Sequence, residues 1–150
     1  MAKQLVLLTY TPRELSEEEY AKFIREIDYP AFRQNPHFPV NTLLIMRGLI
    51  AARRMGVGDR YLETVLAAMW EQGEKMDDPE VVKRVLEAAG LDGGALIAAT
   101  QDPQVKAELV ANTEAAVARG VFGIPTFFVG DEMFWGHDRM HQVAASLGIR

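Results

Sequence analysis

The chain has 150 residues, 49% of them hydrophobic and 25% charged, which is enough for one domain with a real core. Its formal net charge of −5 argues against a general phosphate-binding surface and so against nucleic acid as a partner; Arg47, Arg53, Arg54 and Arg60 are the one local basic grouping. It contains no cysteine, which excludes disulfides, thiolate zinc sites and dithiol redox chemistry of its own.

Residues 3–10 (KQLVLLTY) form a short apolar run that predicts a buried strand, closed by Thr11-Pro12. The run is too short for a signal peptide, and no apolar stretch is long enough to span a bilayer, so no membrane partner and a cytoplasmic residence are expected. Ser16 and Glu19 have capping-box spacing and predict a helix to about residue 28, with Tyr20, Phe23, Ile24 and Ile27 on one face. Pro30, Pro36 and Pro39 make the next stretch a connector.

Residues 40–55 carry a strongly helical pattern, punctuated by Gly56-Val57-Gly58. Asp59 is the expected cap of a helix to about residue 72 that buries Leu62, Val65, Leu66 and Met69. Asp78-Pro79 and Asp102-Pro103 each place a capping carboxylate before a proline at the first helical position. The first of these helices should end at Gly90. A brief one follows Asp92, and the second long one should end near Arg119, with Gly120 just past it. Met46, Met55, Met69 and Met76 are expected to fill the helical core.

The period then changes. Residues 126–129 and 132–135 read as strands, with Gly130-Asp131 as a two-residue hairpin turn, and Asp138 is the expected start of a last helix. The early and late β segments are each too small to stand alone and should share one sheet, with a helical insert between them. The expected division is residues 1–12 with 119–150 as one portion and 13–118 as a helical portion. His137 and His141 lie four apart, but no third ligand accompanies them, so no metal is expected. Phe127, Phe128, Phe134 and Trp135 read as hairpin packing.

The run GVFGIPTFFV followed by FWGHDRM resembles the C-terminal half of the 2-hydroxychromene-2-carboxylate isomerases, relatives of kappa-class glutathione transferases and DsbA. NPHFPVNT at residues 35–42 resembles a second stretch of that family, and residues 101–120 are similar in style. The resemblance implies an α/β, thioredoxin-like fold of the kappa/DsbA type with a large all-helical insert. It implies glutathione as cofactor, a small aromatic substrate, a homodimer, and cis–trans isomerisation in aromatic catabolism by reversible thiol addition to a conjugated double bond.

It further implies a cis bond at Ile124-Pro125 that presents the Ile124 backbone to a peptide-like ligand, and a γ-glutamyl site at His137 and Asp138. For Asp138 the simpler alternative is a helix cap. The resemblance makes His37, Phe38 and Asn41 one wall of the substrate pocket; the alternative is a stiff loop whose Asn41 or Thr42 caps the next helix.

The first third departs from the family pattern, with neither a Ser-Pro-Tyr type loop nor Cys-x-x-Cys. The expectation is a fold incomplete at its N-terminus, with Thr9, Tyr10 or Thr11 as the local candidate for the catalytic hydroxyl. Two other functions stay open: a kappa-type glutathione transferase or peroxidase, and a non-catalytic helical scaffold or dimerisation module.

Overall fold

The computed structural model describes residues 31–148. The expected strand at residues 3–10 and the helix from Ser16 lie outside the described residues. Among those described, chain contacts separate two units, residues 31–109 and residues 110–148. The division falls inside a helix, nine residues before the boundary expected from the sequence.

In the first unit, α1 (Leu43–Arg54) buries Ile45 and then every residue from Gly48 to Ala52, so its second half is covered on more than one face. Arg53 and Arg54 occupy its last turn, where cations complement the helix dipole. Met55 follows as the C-cap and is 47% exposed, so it does not fill the core as expected; a chain leaving the helix cannot keep that side chain on a buried face. The second helix, α2 (Gly58–Trp70), buries Tyr61, Val65, Ala68 and Met69. Its N-cap is Val57, not Asp59, which sits inside the first turn and serves the dipole instead.

The helices α1 and α2 meet at Tyr61, which is 1% exposed and donates its hydroxyl to the Ile45 carbonyl at 3.0 Å. Gly48 makes room for that ring: a Cβ there would lie 2.1 Å from the Tyr61 oxygen. Burial pushes the Tyr61 phenol well above its ordinary pKa.

The helix α3 (Pro79–Ala88) starts as its sequence predicts, with Asp78 Oδ1 accepting from Glu80 N at 3.0 Å and Pro79 in the first turn. It buries Val82, Val85 and Leu86. The short α4 (Gly93–Ala99) is capped by Asp92, which accepts from Ala95 N at 2.9 Å. Asp102 accepts from Gln104 N at 2.8 Å ahead of α5 (Pro103–Ala118). Tyr61, Met76, Val82, Leu86, Leu96 and Val105 form the most buried part of this unit's core. No described helix is long and apolar enough to cross a membrane.

In the second unit, the end of α5 leads through Gly120 (φ +87°) to an antiparallel hairpin of β1 (Thr126–Val129) and β2 (Glu132–Trp135). Gly130 opens the turn with φ +61°, the left-handed backbone that a tight hairpin needs there. Thr126 pairs with Trp135 and Val129 with Glu132. A single 3-10 turn, His137–Arg139, precedes α6 (Met140–Ser146), which buries Val143.

Candidate functional site

The hairpin brings four of the sequence candidates to one place. The Ile124-Pro125 bond is cis, and the Pro125 carbonyl accepts from Gly136 N at 3.0 Å. That bond joins the loop entering β1 to the turn leaving β2, so Ile124 and Pro125 lie beside Gly136, His137 and Asp138. Among the described residues the backbone N–H and C=O of Ile124 find no backbone partner. A polar pair of this kind at the mouth of a strand is the unit that an extended peptide adds to.

Two glycines give the site its shape. Trp135 lies so close over Gly123 that a Cβ there would be 2.5 Å from the indole nitrogen. Gly136 has φ +102°, and a Cβ on it would be 2.3 Å from Asp138 Oδ1. The Asp138 carboxylate therefore folds back over Gly136, where a side chain would exclude it.

Asp138 is not the cap of the last helix. The cap position of α6 is Arg139 and that of the 3-10 turn is Gly136, and no side chain serves either. The Asp138 carboxylate instead reaches Arg139 Nε at 3.4 Å, with both side chains more than half exposed. Arg139 escaped the sequence reading, because nothing in the spacing shows which neighbour a solvent-facing carboxylate selects. The pair offers one anion and one cation on adjacent residues. A single 3-10 turn and a seven-residue helix supply little dipole, so Arg139 is the stronger cationic group there.

Trp135 is also more open than hairpin packing requires. It is 49% exposed and tilts against Phe122, itself 66% exposed, with ring centroids 5.1 Å apart. The β-strand alternation alone does not reveal this, since it depends on what covers the face. A nearby cavity lined by Asn112, Ala116, Arg119, Val121 and Phe128 measures about 30 Å³, room for water and too small for a peptide. Arg119 closes over the Phe128 ring, 3.5 Å from its centroid. Among the described residues no group of three or more metal-type ligands exists.

His37, Phe38 and Asn41 belong to the other unit. Their loop is fixed by Asn35, 2% exposed, whose amide donates to the Met69 carbonyl at 2.9 Å and the Glu74 carbonyl at 2.8 Å. Asn35 Oδ1 in turn accepts from His37 N at 2.8 Å. Phe38 is half-buried against Trp70, at 5.9 Å between ring centroids, and Phe32 stacks on the same indole at 5.5 Å. The Phe38-Pro39 bond is cis.

Asn41 Oδ1 accepts from Leu43 N at 3.0 Å, helix-start geometry, whereas Thr42 makes no side-chain cap. The carboxyl of Asp77 is held below its usual pKa by the hydrogen bond from Lys75, with the Asn41 backbone N–H adding to it. His37 and Asn41 are exposed, and Phe38 is committed to packing. Thr9, Tyr10 and Thr11 lie outside the described residues.

The sequence matches the DSBA-like thioredoxin domain over residues 20–148. It is 32% identical over 107 residues to a 2-hydroxychromene-2-carboxylate isomerase of Pseudomonas putida, covering 65% of this chain and 53% of that protein. Human glutathione S-transferase kappa 1 is 29% identical over 130 residues, with 75% and 58% covered. A solved 2-hydroxychromene-2-carboxylate isomerase superimposes with a TM-score of 0.74 at 25% identity, covering 88% of this chain and 64% of the other. A DsbA variant of Pseudomonas aeruginosa superimposes at 0.62 and 21% identity, covering 77% and 65%, which shows the fold alone. The chain spans about half the length of the curated relatives it matches. With the hairpin, its preceding cis-proline and the helical unit, these matches establish that the chain belongs to the DSBA-like thioredoxin domain family.

Proposed function

We propose that this chain carries the glutathione-binding half of a glutathione-dependent cis–trans isomerase of the 2-hydroxychromene-2-carboxylate type, acting on a small aromatic substrate in catabolism. The observation that carries the reading is the hydrogen bond from Gly136 N to the Pro125 carbonyl, which sets beside the Asp138–Arg139 ion pair an Ile124 backbone that has no backbone partner among the described residues. Ile124 N–H and C=O suit the peptide portion of the ligand. Asp138 suits its γ-glutamyl ammonium and Arg139 its carboxylate, each exchanging a solvated surface contact for a charge-assisted one. His137 precedes them as the first residue of the turn. Bound glutathione supplies the thiol nucleophile that a chain without cysteine lacks.

Calorimetry with reduced glutathione tests the binding step, with saturable binding at millimolar concentration or below as the expected result. A titration that releases no heat up to several millimolar would favour the non-catalytic scaffold. Turnover of a 2-hydroxychromene-2-carboxylate would then support the isomerase. A second reading, a kappa-type transferase, is favoured by the likeness to the human kappa enzyme, and turnover of a chromogenic electrophile without isomerisation would select it.

On the substrate side the reading assigns His37 and Asn41 to polar contacts and Phe38 to the pocket wall. Replacing His37 or Asn41 by alanine should raise KM for the substrate more than it alters the Kd for glutathione. We also assign the chain a homodimer, for which Val110 and Val117 offer exposed apolar surface seven residues apart on α5. Sedimentation showing monomer alone would remove that assignment.

A further inference from the structure

Thr126 is the first residue of β1 and one of three buried polar residues among those described, with Asn35 and Thr100, at 6% exposed. Its hydroxyl donates to the Gly123 carbonyl at 2.6 Å, bridging the two residues Ile124 and Pro125. Pro125 carries no N–H, so this loop has one backbone donor fewer to offer. A side-chain hydroxyl takes over.

The carbonyls on either side of Ile124 are thus both tied: Gly123 by the Thr126 hydroxyl, and Pro125 by Gly136 N. The Ile124 carbonyl between them has no backbone partner among the described residues. Thr126 also pairs across the hairpin with Trp135, the residue that presses on Gly123 from its open side. Gly123 therefore meets two residues that pair with each other across the hairpin, Thr126 through a hydrogen bond and Trp135 through contact. The Thr126 hydroxyl is the restraint that a substitution can remove without altering the backbone or the shape of the side chain.

We propose that Thr126 is a positioning residue: by holding the Gly123 carbonyl it fixes the direction in which the Ile124 amide and carbonyl point toward a peptide-like ligand. It acts through Ile124 and touches no ligand itself. The proposal rests on the glutathione reading given above, and its experiment separates the two.

Thr126→Val keeps the shape and removes the hydroxyl, whereas Thr126→Ser keeps the hydroxyl. Each is compared with the unaltered chain by calorimetry with glutathione, by thermal melting, and by amide NMR of the ligand-free protein. Thr126→Val should raise Kd about three- to tenfold, the size of losing one neutral hydrogen bond, and Thr126→Ser should restore binding. In the ligand-free spectra Thr126→Val should shift the amides of Gly123, Ile124 and residue 126 while leaving the helical unit unchanged, and Thr126→Ser should return them.

If the unaltered chain binds and Thr126→Val binds equally well, the positioning role is overturned, even where its melting temperature falls. If the unaltered chain does not bind, the glutathione reading fails; local shifts restored by serine would still support the positioning of Ile124. Spectra unchanged at Gly123, Ile124 and residue 126 would overturn it.

Discussion

Replacing Asn35 tests whether one buried amide sets the conformation of the proline-rich loop. Besides a weak contact with the Met69 sulfur, its side chain makes three neutral hydrogen bonds, to the Met69 and Glu74 carbonyls and from His37 N. At about 1 kcal/mol for each bond, Asn35→Ala should cost about 3 kcal/mol, and about 10 °C in melting temperature for a chain of this size. Asn35→Asp is the sharper probe, because it keeps the shape and turns two donors into an acceptor facing two carbonyl oxygens.

Burial and those oxygens would raise the new carboxyl above the ordinary aspartate value of about 3.9. A raised acid is protonated in both the folded and unfolded chain below that value, so no ionisation penalty applies there. The penalty develops as pH rises from about 4 toward the raised value and is complete above it. The assay is thermal or urea unfolding of both proteins from pH 4 to pH 8. The deficit of the aspartate variant should widen with pH. A deficit independent of pH, or melting equal to that of the unaltered chain, would refute the assignment of Asn35 as a double donor.

Three further outcomes are expected. Gly48→Ala should destabilise by about 1–3 kcal/mol through overpacking against Tyr61, although helix propensity alone predicts a gain of about 1 kcal/mol; urea midpoints decide between the two signs. Because burial raises the Tyr61 pKa, its contribution is complete below about pH 10, the ordinary tyrosine value, and is lost as pH rises above it. Unfolding at pH 9 and pH 11 should therefore show a loss that Tyr61→Phe abolishes. Asp92→Ala removes the acceptor for Ala95 N and should cost about 1 kcal/mol, read as a lower melting temperature with an unchanged hairpin in the NMR spectrum.

The elements that were legible in the sequence owe it to local chemistry. Asp78-Pro79, Asp92 and Asp102-Pro103 announce helix starts because a short carboxylate and a proline satisfy the first turn whatever packs on it. The hairpin was legible because Gly130 supplies a positive φ between two period-two segments. Asp59 misled for the converse reason: the chain enters α2 two residues earlier, at Val57, just after Gly56 with its positive φ. At the site, the meeting of Ile124-Pro125 with Gly136-His137-Asp138 follows from hairpin register and was readable. The partnership of Asp138 with Arg139, and the openness of Trp135 and Phe122, depend on side-chain directions and covering surfaces that no residue pattern encodes. Asn35 was legible as part of a motif, and its role as the brace of that loop emerged only with the backbone carbonyls of Met69 and Glu74 in place.

A titration of the isotope-labelled chain with reduced glutathione, followed by amide NMR, tests the central claim most directly. The account predicts progressive, saturable shifts of the Ile124 amide and of residues 136–139, with the amides of α1 to α4 unmoved. Shifts confined to the helical unit, or none at all at millimolar glutathione, would contradict it.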